Sequence, residues 1–343
     1  MSRALRQNLI EIASTAVDVI SLRYPPFVYG GQIRGVPVFC FHEVEPESFE
    51  AQLRFLSQNG YRTITTDEFS NPPDKSVMLT FDDGWGSLWS VGLPLLKKYG
   101  ARIVVFLAAG RIGWHPFLTW EQVGGMHRTG LVDFQSHTLT HSRVFCSPKI
   151  VDFAHPSLAL GVMDTPEWES LPFSPGRPIY ESYPRMGCRR YLEDDDLRAA
   201  CELYTARDKE FFNRPDWRVP LRSLVSELGP SGRFETHEEM TTALTRELVE
   251  SKRIIEEHLG KEIRHICYPW HCYSKLAVEL SAKAGYEMSF VGKLRGRYQG
   301  IQPGSPTLVA RVGGDFFFRL PGKGRIPLLR ILLTKIARRA RGK

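Results

Sequence analysis

The sequence has 343 residues, of which 42% are hydrophobic and 24% are charged, a composition that argues against intrinsic disorder. This length accommodates one large domain with an insertion, or two domains. The net charge of +7 does not indicate nucleic-acid binding, because residues 319–343 contain nine Lys or Arg and no acidic residue, and no recognition motif accompanies them.

Residues 1–36 are predicted to form an N-terminal helical segment. Apolar residues recur there every three or four positions, as on one stripe of a helix: Leu5, Leu9, Ile12, Ala16 and Val19. Glu11 and Asp18 interrupt the apolar run and no small-residue cleavage site follows, so we expect no signal peptide. The six cysteines are dispersed without a C-x-x-C pair, which favours a reducing compartment.

Strand-like and helix-like segments alternate through most of the remaining sequence. Seven short runs rich in β-branched and aromatic residues begin near positions 37, 76, 102, 131, 263, 288 and 308. Helix-like stretches at 48–58, 87–99, 119–128, 239–259 and 274–284 separate most of these runs. This order predicts an α/β fold of parallel strands with right-handed crossovers, either an open doubly wound sheet or a closed barrel.

Residues 143–236 interrupt this alternation. The segment is rich in Pro, Arg and aromatic residues, and only 193–211 is predicted to be helical. We interpret it as an insertion that either covers the body as a cap or substrate-facing loop system, or is a purely structural excursion.

Polar clusters follow three of the strand-like runs. Asp82 and Asp83 follow "SVMLTF", His137 and His141 lie in "SHTLTH" after "LVDFQ", and His271 follows "IRHICYPW". Because the carboxyl ends of parallel strands form the ligand site of such folds, we expect these groups to meet at one place.

The types and spacing of these residues predict a metal site. His137 and His141 are four residues apart, and two histidines with one carboxylate form a common catalytic zinc set that leaves one coordination position open. The second of two adjacent carboxylates can then act as a general base. His42, after "VPVFC", and Arg311, within "LVARV", are further candidates for the same site.

"TFDDGW" and "SHTLTH" together resemble the first two motifs of the polysaccharide deacetylases, also called carbohydrate esterase family 4, and the resemblance covers about residues 37–142 and 237–312. It implies a distorted (β/α) barrel of about seven parallel strands over residues 37–318, with the large insertion 143–236 between the His-x-x-x-His and Tyr-Pro-Trp motifs. It also implies metal-dependent removal of acetyl groups from an N-acetylated amino sugar. On this resemblance Asp82 is the catalytic base, and Asp83, His137 and His141 bind a divalent metal ion, with zinc expected.

Two departures from the family pattern affect the groups that assist Asp82. The motif that resembles Arg-x-Pro-Tyr reads CYPW at 267–270, so the Arg that orients the base in the family is missing there. Arg311 is a candidate replacement from another strand, and a surface ion pair is its alternative role. The late Leu-x-His motif, a common source of the general acid, is absent, since no histidine follows His271. We predict His271 as the acid or a substrate contact, with His42 as the competing candidate.

Aromatic residues beside the motifs are predicted to bind substrate: Trp85, Tyr268, Pro269 and Trp270. For Trp85 and Trp270 we expect stacking on a sugar ring, because aromatic faces suit the C–H faces of pyranoses. Packing in the core is the alternative, and it is the expected role of Trp120.

Residues 319–343 are predicted to form a basic amphipathic tail. Four apolar residues share one helical face: Leu328, Leu329, Leu332 and Ile336. This pattern is typical of an interfacial helix on an anionic membrane, and a helix packed against the barrel is the alternative. The first interpretation predicts a cytoplasmic enzyme, peripheral on the inner membrane face, that acts on a glycan precursor.

Three functions are therefore compared. The leading hypothesis is a metal-dependent N-deacetylase of an amino sugar in a polysaccharide, an oligosaccharide or a lipid-linked glycan precursor. The alternatives are an amide C–N hydrolase with a non-sugar substrate and a catalytically inactive glycan-binding homologue.

Overall fold

The computed structural model describes residues 15, 17–69, 71–158, 174–229, 231–292 and 308–340, with side chains up to residue 338. These residues form two compact units, the first within 1–138, 251–271 and 285–343 and the second within 139–250 and 272–284. Most of the predicted N-terminal stripe lies outside the described residues, as do residues 341–343 of the basic tail. The predicted domain boundaries stay a prediction.

The strands are numbered in chain order. They are β1 Val38–Phe41, β2 Arg62–Thr63, β3 Ser76–Asp83, β4 Ile103–Leu107, β5 Val132–Ser136, β6 Arg143–Phe153, β7 Pro178–Pro184, β8 Tyr191–Leu192, β9 Arg233–Phe234, β10 His265–Cys267, β11 Met288–Val291, β12 Leu308–Ala310 and β13 Val312–Gly313.

The α-helices are numbered in the same way. They are α1 Pro26–Tyr29, α2 Pro46–Gln58, α3 Leu93–Tyr99, α4 Trp120–His127, α5 Asp195–Ala206, α6 Arg218–Leu228, α7 His237–Leu259, α8 Lys275–Lys283 and α9 Leu328–Ala340. A π-helical turn, Leu88–Gly92, precedes α3, and short 3₁₀ turns connect several of the other elements.

The first unit contains a nearly closed barrel of parallel strands. Among the described residues eight strands follow one another in the order β12, β11, β10, β5, β4, β3, β1 and β13, and β2 pairs with β3 beside this path. The two end strands, β12 and β13, are separated in the chain by Arg311 alone. One continuous segment therefore pairs with β11 on one side and with β1 on the other.

The sequence was compatible with an open doubly wound sheet and with a closed barrel, and this strand order shows the barrel. If β12 and β13 are counted as one segment, the barrel has seven strands, and each contains one of the seven predicted runs. The predicted distorted (β/α) barrel is therefore confirmed. The runs form buried strands because parallel strands in a barrel are covered on both faces, and all eight residues of β3 are buried.

The core of the barrel is formed by apolar residues from several strands. Val38, Met78, Val104, Phe106 and Phe290 belong to one buried cluster and are each 0% exposed. Buried large side chains of this kind contribute about 1.5–3 kcal/mol each to folding. The same packing fixes the carboxyl ends of the strands, where the polar residues lie.

The second unit has its own core. Strands β6 and β7 pair antiparallel, as do β8 and β9, while α5 and α6 contribute to a separate apolar cluster. The sequence predicted only one helix here, and that was wrong, since α6 was missed. Pro220 lies in the first turn of α6, where a missing backbone N–H removes no intrahelical hydrogen bond.

Helix α9 at the C-terminus of the described chain presents two different apolar faces. Ile331 is buried, Leu328 and Leu332 are half-buried, and Leu329 and Ile336 are exposed, so the predicted apolar face is divided. Lys335 and Arg338 form ion pairs with Asp315 of the preceding turn. Within the described part of the chain, no helix is both long and apolar enough to cross a membrane.

Candidate active site

Asp82 and Asp83 are the last two residues of β3, and both carboxylates are buried. The chain turns sharply after them, because Asp83 and Gly84 both have positive φ values, 73° and 86°. A side chain at Gly84 would be strained at this φ, and its Cβ would lie 2.8 Å from a Leu107 methyl group and 2.9 Å from one of Ile112. The close turn leaves both carboxylates at the carboxyl end of the barrel strands.

Arg311 binds Asp82 through two parallel hydrogen bonds. Its Nη1 and Nη2 atoms donate to Oδ1 at 2.7 Å and to Oδ2 at 2.8 Å, and Nη1 lies 3.0 Å from Thr80 Oγ1. Arg311 is buried, so this is not a surface ion pair. Burial alone would raise the pKa of Asp82, but the Arg311 guanidinium holds it well below its usual range, and the carboxylate stays ionised.

Two thiols complete the surroundings of Asp82. Cys267 stands where the family motif has Arg, and its Sγ lies 2.8 Å from Arg311 Nη2. The Sγ atom of Cys40 lies 3.5 Å from Asp82 Oδ2. Burial raises the pKa of both thiols, which are therefore neutral at ordinary pH. The sequence did not single out Cys40 or Thr80, although Thr80 is a polar residue within a buried apolar strand.

His137 is held in one orientation beside Asp83. Its Nδ1 lies 2.8 Å from the carbonyl oxygen of Cys267, which can only accept, so Nδ1 carries the proton. Its Nε2 faces Asp83 Oδ1 at 3.4 Å. The other Asp83 oxygen accepts a hydrogen bond from Trp85 Nε1 at 3.0 Å. Trp85 thus orients this carboxylate.

The arrangement of Asp83, His137 and His141 fits a divalent metal ion. One ligand atom from each residue lies within 4.8 Å of the other two, and all three residues are buried. The Cys267 carbonyl occupies His137 Nδ1, so Nε2 is the ligand nitrogen. Metal-binding histidines usually make such a second contact through the ring nitrogen that does not bind the metal. Two imidazoles and a carboxylate match a catalytic zinc set.

A second group, Asp82, His137 and Cys267, satisfies the same distance criterion. Both oxygens of Asp82 are engaged by Arg311, so this group is the poorer metal site. Asp82 is therefore available for proton transfer, beside the candidate metal ligands.

The two candidate acids lie on the solvent side of Asp82. His42, directly after β1, and His271, in the 3₁₀ turn that follows β10, are both exposed. His271 Nδ1 lies 3.2 Å from Arg311 Nη2, and because a guanidinium only donates, the neutral His271 ring carries its proton on Nε2. Although the residue as a whole is exposed, desolvation of its ring and the Arg311 charge lower the pKa of His271. A neutral Nε2–H group suits a hydrogen bond to substrate.

The predicted aromatic contacts occupy different environments. Trp85 is half-buried against Phe117, and Trp270 is half-buried with a left-handed φ of 50°. Tyr268 is fully buried with its hydroxyl 3.1 Å from Ser289 Oγ, as in the core-packing alternative, and Pro269 is also buried. The substrate roles of these residues stay predictions. Trp120, expected in the core, stacks on His258 with ring centroids 3.9 Å apart.

The family resemblance is borne out by comparison with known proteins. Residues 69–155 match the family model described as polysaccharide deacetylase, and this stretch contains Asp82, Asp83, His137 and His141. The resemblance predicted from the two motifs is therefore confirmed, and residues 69–155 are similar to the polysaccharide deacetylases.

Curated relatives match less than a third of the chain. YxkH of Bacillus subtilis, whose name describes it as a polysaccharide deacetylase, is 33% identical over 121 residues, which are 31% of this chain and 43% of that protein. A poly-β-1,6-N-acetyl-D-glucosamine N-deacetylase of Staphylococcus epidermidis is 32% identical over 108 residues, 28% of this chain and 37% of that protein. The matches thus span less than half the length of these relatives.

Solved structures share the fold at low sequence identity. A de-N-acetylase from Aggregatibacter actinomycetemcomitans covers 81% of this chain and 93% of its own, with 17% identity and a TM-score of 0.53. The BpsB deacetylase domain from Bordetella bronchiseptica covers 81% and 95%, with 17% identity and a TM-score of 0.54. These likenesses establish the barrel fold.

Proposed function

We propose that this protein is a metal-dependent hydrolase that removes N-acetyl groups from an amino sugar in a polysaccharide, an oligosaccharide or a lipid-linked glycan precursor. The observation that carries the proposal is that two adjacent carboxylates, Asp82 and Asp83, have different partners. Asp82 is held ionised by Arg311, while Asp83 lies with His137 and His141 in a group that fits a metal ion.

The residues can perform the hydrolysis of an acetamide. A divalent cation held by Asp83, His137 and His141, with zinc the expected ion, would supply Lewis-acid polarisation of the acetamide carbonyl. Asp82 accepts a proton from the attacking water, because its carboxylate is ionised and buried next to the group. Arg311 keeps the two Asp82 oxygens in a fixed plane through its paired hydrogen bonds.

The departing amine must be protonated before the C–N bond breaks. His271 is the first candidate for contact with the amine. Arg311 occupies its Nδ1, and its Nε2–H group is left to donate a hydrogen bond to the amine. His42, at the end of β1, is the competing candidate, and Asp82 can return the proton that it took from water. The attack of water, with Asp82 as the base, is the same whichever of these groups contacts or protonates the amine.

The proposed substrate class follows from the relatives. The Staphylococcus proteins are named as N-deacetylases of poly-β-1,6-N-acetyl-D-glucosamine, and a partial match of about a third of their length supports a saccharide with N-acetylated amino sugars. The sugar, its linkage and its carrier are left open by this argument.

The experiment is a measurement of acetate release by protein with quantified metal. N-acetylglucosamine oligosaccharides and lipid-linked N-acetylated sugars are the substrates, and Asp82→Asn is the inactive control. Acetate release that Asp82→Asn abolishes supports the proposal. Stoichiometric metal with no acetate from any amino sugar would favour a non-sugar amide hydrolase, and absence of bound metal would favour a glycan-binding homologue.

We also propose that α9 lies on an anionic membrane surface at the cytoplasmic side. Three large apolar residues project from one face of this helix, Leu329, Leu333 and Ile336, with exposed fractions of 68%, 58% and 44%. The sequence around them, residues 319–343, contains nine basic residues and no acidic one. An exposed apolar stripe in a basic segment is the pattern of interfacial helices.

A further inference from the structure

The loop that carries the two histidines has an unusual backbone. This histidine loop, residues 137–142, contains Thr138 with φ 67° and His141 with φ 50°. Residues other than glycine rarely adopt this left-handed conformation, and it persists where surrounding contacts over-determine the chain. The position of His141 therefore depends on what holds the loop.

A single carboxylate on α7 binds the middle of the loop. Glu247 Oε2 accepts hydrogen bonds from the backbone N–H groups of Leu139, at 3.1 Å, and Thr140, at 2.9 Å. Its Oε1 accepts the Thr140 hydroxyl at 2.7 Å. Three bonds from one side chain thus fix the two residues that immediately precede His141.

Ser251, one helical turn after Glu247, binds the beginning of the same loop. Its hydroxyl donates to the Thr138 carbonyl at 3.0 Å and lies 2.8 Å from Ser136 Oγ. Ser251 is 0% exposed and lies in the buried stripe of α7 with Leu244, Leu248 and Ile255. A polar residue in an apolar stripe has a specific partner to satisfy, and here that partner is the loop.

We infer that Glu247 is a positioning residue for the candidate metal site. By holding the Leu139 and Thr140 amides, it fixes the backbone of His141 and hence the direction of the imidazole. This inference rests on the proposed function, since it takes His141 to be a metal ligand. A carboxylate that only stabilised the fold would affect stability and leave the affinity of folded protein for metal unchanged.

The test is the affinity of the metal-free protein for Zn²⁺, measured by competition with a chromophoric chelator. Glu247→Ala is expected to weaken binding by roughly 10–100-fold, the effect of removing groups that orient metal ligands. Glu247→Gln is expected to recover most of the affinity. Its amide oxygen still accepts the two backbone N–H groups, and its NH₂ group donates to the Thr140 hydroxyl.

Asp152→Ala is the matched control. Asp152 also accepts three hydrogen bonds, two from Arg218 at 2.8 and 3.1 Å and one from the Phe153 N–H at 2.9 Å, and none from the histidine loop. We expect this variant to bind Zn²⁺ as tightly as the wild type. Circular dichroism and thermal unfolding show whether each variant is folded.

The possible outcomes distinguish a failure of the Glu247 inference from a failure of the proposed function. Folded Glu247→Ala with wild-type affinity, or an equal loss in Asp152→Ala, would overturn the positioning role alone. A wild-type protein that binds no Zn²⁺ would overturn the proposed function itself. If Glu247→Ala does not fold, Glu247→Asp withdraws the carboxylate from the loop by one methylene, and unchanged affinity in that variant would also refute the inference.

Discussion

At the scale of single residues, the buried pair of Asp82 and Arg311 distinguishes this chain from the family pattern. The family motif Arg-x-Pro-Tyr has its Arg at the position of Cys267, and here the Cys267 Sγ lies beside the guanidinium of Arg311, which is placed between β12 and β13. The sequence could suggest Arg311 because it is a charged residue within a strand-like run. It could not show that both hydrogen bonds reach Asp82, since 228 intervening residues must fold first.

Replacing Arg311 by Met should reduce both activity and stability. We expect kcat/KM to fall by about 100-fold, because the base loses its orientation. The free energy of unfolding should fall by about 3–5 kcal/mol, because Asp82 is left as an uncompensated buried charge.

The double variant Asp82→Asn, Arg311→Met is the control for this prediction. It should recover part of the lost stability in denaturant unfolding while remaining inactive, since the buried negative charge is gone. Full activity in the single variant would show that Asp82 needs no guanidinium partner.

The two candidate acids can be separated by matched alanine variants. His271→Ala should lower kcat by about 10-fold if its neutral Nε2–H donates a hydrogen bond to the leaving amine, while Asp82 returns the proton that it took from water. His42→Ala should then have a small effect, because both histidines are exposed at the same end of the barrel but only His271 contacts Arg311. Steady-state kinetics on one acetylated oligosaccharide measures both, and the reverse pattern would assign the role to His42.

At the scale of elements, periodicity and composition were sufficient to predict the seven strands and most of the helices around them. They did not distinguish a barrel from an open sheet, because closure depends on β12 and β13 pairing with opposite neighbours on either side of Arg311. They also missed α6 and the role of Glu247. A proline such as Pro220 can break a helix as well as begin one, and a glutamate on a long helix has no sequence signature of its own.

Asp133 on β5 allows a stability test that is independent of catalysis. Its buried carboxylate accepts hydrogen bonds from the Thr66 hydroxyl, the Gln135 amide and the Lys261 ammonium group. Burial opposes ionisation, but Lys261 and these hydrogen bonds lower the pKa of Asp133. Its contribution to stability is therefore complete above the unfolded-state pKa of about 3.9 and is lost as the pH falls through the lower folded-state value.

Asp133→Asn should consequently be less stable than the wild type by about 3 kcal/mol at pH 7, because Lys261 loses its buried partner. Urea unfolding at a series of pH values should show this difference shrinking below about pH 4. A difference that is constant from pH 7 to pH 3 would mean that ionisation of Asp133 is not the cause.

At the scale of the whole molecule, the basic charge of the chain is concentrated in its last 25 residues, which include α9. The sequence predicted an apolar face there, and the structure divides it into a packed side and an exposed stripe because Lys335 and Arg338 bind Asp315. Localisation at a membrane stays a prediction.

Vesicle sedimentation tests the membrane prediction. The protein should bind vesicles that contain phosphatidylglycerol more strongly than phosphatidylcholine vesicles, and salt should weaken the binding. Leu329→Asp with Leu333→Asp should abolish it, whereas Leu203→Asp with Leu228→Asp, two other exposed leucines, should not. Equal binding by the two double variants would assign the interaction to another surface.

The most direct test of the account is to compare Asp82→Asn with Asp83→Asn, adjacent residues to which different tasks are assigned. Metal content and acetate release are measured on the same preparations. Asp82→Asn should retain the divalent metal and release no acetate, because only the base is removed. Asp83→Asn should lose both metal affinity and activity, because a ligand is removed. Loss of metal in Asp82→Asn, or an active Asp83→Asn without metal, would contradict the account.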